Sequence, residues 1–143
     1  FTLIQSWLQE ERFDVSFIHA KWLKNNAHTR NPERYLGHKI EPFFYARKGK
    51  AQIQKPHDDT FPHPADAPGK KVNSYQKPIT LMMDIYRTFL LPGSRIISPC
   101  TGSGNDILAA FNTNNTCIGF DVVKEQKEGY KLKVLEQEFK YYE

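Results

Sequence analysis

An α/β fold is what this sequence predicts, and three observations carry the expectation. Residues 95–121 run as strand, glycine loop, short helix, strand and acid: Arg95-Ile96-Ile97-Ser98, then Pro99-Cys100-Thr101-Gly102-Ser103-Gly104, then Asn105-Asp106-Ile107-Leu108-Ala109-Ala110, then Cys117-Ile118-Gly119-Phe120-Asp121. Apolar residues recur at helical spacing just before that stretch and at period-two spacing near the N-terminus, so both kinds of element are present. The chain has 143 residues with 39% hydrophobic and 25% charged content, enough for one domain with a moderate core.

The elements follow in order. Leu3, Ile4, Trp7 and Leu8 fall at helical spacing, so residues 2–11 read as a short amphipathic helix. Phe13, Val15 and Phe17 alternate with Asp14 and Ser16, and Ile18, Ala20 and Trp22 continue on the other face, so 13–23 reads as one strand covered on both sides. Residues 24–37 form a polar loop. Ile40 to Arg47 is a second strand with Phe43, Phe44 and Tyr45 as its bulk, and its ladder is expected to begin after Pro42. Residues 48–76 are rich in Pro, Lys, His and Asp. Pro56, Pro62, Pro64 and Pro68 forbid a long helix there, leaving a loop or an extended arm. Pro78 suits a first helical position, and Ile79, Met82, Met83, Tyr86, Phe89 and Leu90 form one core-facing stripe over 78–91, ended by Leu91-Pro92-Gly93. Lys124 to Lys140 reads as a last helix, with Leu132, Leu135 and Phe139 inward.

The glycine stretch carries the chemistry. Gly102 and Gly104 let the backbone turn tightly and approach a ligand, and Asn105 or Ser103 can cap the helix that follows. Ligands of parallel sheets sit at the carboxyl ends of strands, where helix-start N–H groups favour negative groups and an acid after the second strand can accept ribose hydroxyls. The pattern is G-x-G rather than G-x-G-x-x-G, so a nucleoside cofactor is indicated and a pyrophosphate is not demanded. Taken alone, a G-x-G also fits a plain turn.

Composition narrows the remaining classes. There is no run of about 18 apolar residues, so no membrane span is expected. Cys100 and Cys117 make no disulfide framework and fit small buried residues of a reducing cytosol. The net charge of +4 permits contact with a polyanion. His19, His28, His38, His57 and His63 lack paired ligand spacing, so no metal site is expected. Phe1 is not a start methionine, which reads as a fragment or a processed product.

Ser74-Tyr75-Gln76-Lys77-Pro78, an apolar helix, Leu91-Pro92-Gly93, the stretch Ser98-Pro99-Cys100-Thr101-Gly102-Ser103-Gly104 and then Ile118-Gly119-Phe120-Asp121 together resemble the amino-methylating DNA methyltransferases. The likeness is to their circularly permuted, β-class-like group, whose cofactor motif lies near the C-terminus. A looser match pairs Trp22-Leu23-Lys24 and His38-Lys39-Ile40-Glu41 with two antiparallel edge strands of that family. Ser98 stands where the family has Asp, offering a hydroxyl without charge, and Cys100 stands where it has Phe.

The resemblance implies a permuted Rossmann-like methyltransferase sheet that binds S-adenosylmethionine and methylates adenine N6 or, second, cytosine N4. It implies a cofactor site of Ser74, Gln76, Lys77, Ser98, Pro99, Cys100, Thr101, Gly102, Ser103, Gly104 and Asp121. It divides one partial domain, 1–143, into a sheet edge (1–47), a recognition insert (48–76) and a cofactor-binding part (77–143). Lys48, Lys50, Lys55, Lys70 and Lys71 of the insert could meet DNA phosphates, or simply form a solvated basic loop. The family's catalytic motif, Asp/Asn/Ser-Pro-Pro-aromatic, has no counterpart, since the sequence has no Pro-Pro pair. No catalytic residue is therefore assigned. The family sheet order 3-2-1-4-5-7-6 would have this chain supply strands 2, 1, 7 and 6, with a gap for strands from a complementary chain or an N-terminal segment. A cytoplasmic or nucleoid-associated setting follows from the same resemblance. A non-enzymatic relative acting as scaffold or nucleic-acid-binding subunit, and an RNA or small-molecule methyltransferase, are the rival readings.

Overall fold

The structure, a computed structural model, describes residues 2–26, 31–67, 69 and 71–136, with the helical backbone continuing to Lys140. Sequence expectations for His28, Pro68, Lys70 and the Phe139 side chain fall outside that range. Helix α1 spans Thr2–Glu10, as its periodicity predicts, but Leu3, Ile4 and Trp7 stay largely exposed.

The two N-terminal strands do not run unbroken. The expected strand 13–23 divides into β1 (Asp14–Val15) and β2 (Ala20–Leu23), and the expected strand 40–47 into β3 (Ile40–Phe43) and β4 (Ala46–Arg47). β1 pairs antiparallel with β4, and β2 pairs antiparallel with β3 in a different sheet. The break at Phe17 has a local cause. The Ser16 hydroxyl donates to the Ile18 carbonyl and accepts from the Ile18 N–H, so it competes with the ladder and bends the chain. Phe17 is consequently 93% exposed rather than covered.

Pro42 lies inside the ladder, opposite Lys21, and not before it. The Lys24 N–H donates to the Lys39 carbonyl, two residues along from the Trp22–Glu41 pair, so the pairs 22/41 and 20/43 exchange backbone bonds and 21/42 does not. The nitrogen of Pro42 therefore faces away from β2. Among the described residues β3 has no partner on that side, which is where a strand tolerates proline.

The proline-rich segment also contains a strand. β5 (Thr60–Pro62) pairs parallel with β2, giving the order β3-β2-β5. Its Phe61 is 1% exposed. Prolines around it exclude a helix but not a three-residue edge strand, and a single aromatic gives no periodicity to read.

Helix α2 (Ile79–Phe89) joins the two halves of the molecule, with Pro78 one position earlier than expected, at its N-cap. One face packs Leu81 against Ala20, Trp22 and Phe61. The other packs Tyr86 against Ala109 and Ala110, with Met82, Met83, Ile96 and Cys117 around them. The sequence stripe describes the second face except for Phe89, which packs on the first, and it leaves out Leu81. Beyond α2, β6 (Arg95–Ser98), α3 (Asn105–Phe111) and β7 (Thr116–Gly119) form a strand–helix–strand unit with β6 and β7 parallel and Ile97 opposite Ile118. Helix α4 (Lys124–Lys140) closes the chain, but Leu132 and Leu135 are largely exposed rather than inward. No described strand connects β6–β7 to β3-β2-β5. No helix among the described residues is long and apolar enough to cross a membrane.

Candidate functional site

The site grows from the carboxyl end of β6. The ladder continues past the strands: the Phe120 N–H donates to the Ser98 carbonyl (2.8 Å) and the Thr101 N–H to the Phe120 carbonyl (2.9 Å). The loop then turns through Gly102 and Gly104, at φ 53° and 74°. Asp121, just beyond β7, accepts from the Gly102 N–H at 2.7 Å and the Val123 N–H at 2.9 Å. Those two bonds hold its exposed carboxyl below the ordinary carboxylate range.

A cavity of about 350 Å³ lies between this loop and the turn preceding α2. The structure brings Gln76, Lys77, Ser98, Cys100, Thr101, Gly102 and Ser103 to its wall. Ser74, Pro99, Gly104 and Asp121 are not on that wall. Asp121 remains tied to the loop at Gly102, at the lip. Cys100 is exposed rather than buried, because it belongs to the loop and not to the sheet, whereas Cys117 of β7 is partly covered.

Gly104 serves a different contact from the one expected. A Cβ on Gly104 would stand 2.3 Å from a ring carbon of Tyr130, so its bare face admits α4 and not a ligand. Its left-handed backbone also makes it the N-cap of α3, with no side-chain cap. Neither Asn105 nor Ser103 caps the helix. Asn105 is buried and donates to the Lys77 carbonyl at 2.7 Å.

Lys77 projects from the pre-α2 turn beside the cavity. Its ammonium and that of Lys24 both pair with Glu41 of β3, and both lie over the Trp22 ring, at 5.0 and 4.7 Å from its centroid. Burial disfavours the Glu41 charge, but hydrogen bonds from Lys24 and Lys77 and their charges outweigh it, and the carboxyl is held below its usual value. Glu41 thus ties the N-terminal sheet to the site.

Sequence reasoning missed several residues here. Asn73, Tyr75, Met82, Asn105 and Asp106 line the cavity. Asp106 accepts from the Thr101 hydroxyl at 2.5 Å and from the Ile107 N–H at 2.9 Å. Burial first, and then nearness to this carboxylate, push the Cys117 thiol and the Tyr86 phenol up. An acid in the first turn of the helix that leaves the strand end is a weak signal, since acids are common at that position. Lys133 of α4 had none, because the helix reads as a plain charged surface. It donates to Asn105 Oδ1 (2.7 Å), Gln76 Oε1 (2.9 Å) and the Ser103 carbonyl (3.3 Å), so one ammonium joins the pre-α2 turn to the glycine loop. Burial pushes its pKa down, against the charges of Asp66 and Glu136.

Among the described residues, the lysines of 48–76 do not form one patch: Lys71 lies apart from Lys48, Lys50 and Lys55. Lys48 and Lys50 flank a turn after β4, with the Lys48 ammonium over the Phe13 ring. The Lys55 N–H bonds to Thr88 near the C-terminal end of α2, whereas Lys71 borders a groove with Pro78 and Ile79 at the N-terminal end. The two thus lie toward opposite ends of that 11-residue helix, which is about 16 Å long.

The fold has solved counterparts. The structure superimposes on M1.HpyAVI in its complex with S-adenosylmethionine with a TM-score of 0.81 and 27% identity, covering 93% of this chain and 68% of that one. A second structure of M1.HpyAVI gives 0.73 and 26%, with 93% and 66% covered. The chain is similar in fold to proteins that bind S-adenosylmethionine. TTHA0409 of Thermus thermophilus, complexed with S-adenosyl-L-methionine, shares the fold alone, at 21% identity and a TM-score of 0.64 over 91% of this chain and 56% of its own. This chain therefore spans about two thirds of the M1.HpyAVI length. No family model matches the sequence, and no curated protein does.

Proposed function

We propose that this chain is the cofactor-binding part of an S-adenosylmethionine-dependent methyltransferase acting on an exocyclic amine of a DNA base, adenine N6 favoured over cytosine N4. One observation carries the reading: a cavity enclosed by the glycine loop and the Lys77 turn, at the carboxyl end of a parallel strand, in a fold similar to two S-adenosylmethionine-binding proteins.

The residues present fit that cofactor. A volume of about 350 Å³ lies at the small end of the roughly 300–1,000 Å³ of ligand pockets, which suits the methionine half, with the adenosine half crossing the lip. Lys77 favours a carboxylate, Met82 and Cys100 offer soft contact to sulfur, and Asp121 keeps lone pairs for ribose hydroxyls. The bound cofactor would supply an electrophilic methyl group. The chain's own part is to bind and orient it.

The base-holding residues would come from a complementary chain or a preceding segment. The sequence has no Pro-Pro pair. Among the described residues β3 and β6 each have one strand edge without a partner, and Ile97, Ile118 and Phe120 are 57–72% exposed on one side of β6–β7. Added strands would satisfy both. Isothermal titration with S-adenosylmethionine tests the reading, with Asp121→Ala expected to weaken binding. No heat at millimolar cofactor, with or without the complementary segment, would favour a scaffold or nucleic-acid-binding subunit, the reading that Ser98 in place of an acid supports. With that segment supplied, methyl transfer to duplex DNA separates this proposal from an RNA methyltransferase.

A further inference from the structure

The cavity wall carries one carboxylate that the fold leaves without a cation. Asp106 borders it, and among the described residues every ion pair lies elsewhere. Its Oδ1 accepts from Thr101 and Ile107, while no hydrogen bond among the described residues uses Oδ2. Lys77 borders the same cavity and brings a positive charge. Ser98 and Thr101 add uncharged hydroxyls to the same wall. A small cavity with one anion and one cation on its wall matches an α-amino acid group, whose ammonium and carboxylate have opposite charges.

We propose that Asp106 is a ligand-binding residue that receives the α-ammonium of an amino-acid-bearing ligand. This rests on the cofactor reading above and deepens it: the amino-acid end of S-adenosylmethionine would enter the cavity with its ammonium at Asp106 and its carboxylate toward Lys77. Asp106 then supplies, from the helix after the loop, the charge that Ser98 does not. It also accounts for Thr101, whose hydroxyl holds Oδ1 and leaves Oδ2 for the ligand.

The test is Asp106→Asn, whose amide oxygen still accepts from Thr101 and Ile107, titrated with two probes. S-adenosylhomocysteine carries the amino-acid end, and 5′-methylthioadenosine keeps the nucleoside and thioether but lacks it. The substitution should weaken the first by about tenfold or more, the scale of a lost charge-assisted hydrogen bond, and change the second by less than about twofold. Equal losses for both probes, or none for the first, would overturn the assignment. Asp106→Ser, shorter but still polar, should give the same split if Asp106→Asn folds poorly, which thermal melting would reveal. Titration with L-methionine, followed by the amide resonances of Gly102 and Ile107, separates this claim from the cofactor reading. Shifts in the unmodified chain that vanish in Asp106→Asn would support the ammonium site even if neither nucleoside binds. Methionine shifts that persist in the variant would reject it.

Discussion

The two faces of α2 meet very different partners. On one side Trp22 and Phe61, 3% and 1% exposed, finish a small core with β2 between two strands. On the other, Ile96 and Cys117 pack inward while Ile97 and Ile118, next to them in sequence, are 72% and 59% exposed. The first sheet has buried Ala20, Trp22 and Phe61 under its own chain, with Ile40 half-exposed at its edge; the second has covered one face only. The sheet that carries the candidate site is thus the one with a whole apolar face left bare. A partner that covers the bare face would also sit beside the ligand.

Substitutions test that contrast, in falling order of effect. Phe61→Ala should cost about 3–5 kcal/mol, because it empties the centre of the finished core, and chemical denaturation should show the loss. A cost below about 1 kcal/mol would mean that β5 is not part of the core. Gly104→Ala should cost about 2–4 kcal/mol, the sum of a left-handed backbone and the Tyr130 ring in the way. Gly102→Ala meets only Asn73 at 3.4 Å and should cost about 1–2 kcal/mol. Equal melting temperatures for the two variants would remove α4 from the loop.

Asp84 gives a smaller effect that depends on pH. Its carboxylate accepts from His63 at 2.9 Å and lies 3.3 Å from His57, which stacks on Phe61. Burial opposes its ionisation, but the hydrogen bond from His63 and the charges of His57 and His63 prevail, and its folded-state pKa is lowered. A lowered carboxyl pKa contributes stability that is present above the unfolded value, about 3.9, and is lost as pH falls through the folded value. Asp84→Asn should therefore remove about 1 kcal/mol near pH 6 and flatten the acid limb of stability against pH. An unchanged limb would mean that the histidines do not hold Asp84. Ile97→Ser should change the stability of the isolated chain by less than about 0.5 kcal/mol, since that side chain lies in water. It should weaken assembly with a complementary segment, and unaltered assembly would show that the bare face is not the contact.

The cofactor half was the more readable one. Residues 95–121 are local: strand, loop, helix and strand follow one another, and a parallel pair joined by a helix can close in few ways. Lys77 and the loop meet as their positions suggest, because α2 ends its run beside the strand that follows it. Asp106 and Lys133 were hard to read for different reasons. An acid in a first helical turn is commonplace, so Asp106 stands out little beside the glycines. Lys133 comes from a helix whose composition marks only a solvated face.

In the N-terminal half the local pattern misled. Period-two alternation runs through Phe13–Trp22, but alternation cannot say where a strand changes partners, and a serine hydroxyl at residue 16 was enough to divide it. Phe61 became the centre of the core through pairing with a strand some forty residues earlier, an event that composition does not encode. Residue order and spacing alone settled the α/β class, the glycine loop and the helices, since these depend on neighbours within a few positions. Tertiary contact decided the place of β5, the packing of Tyr130 on Gly104 and, among the described residues, a carboxylate at Asp106 without an ion-pair partner, because each depends on which distant groups fill the space around it and whether water is excluded there.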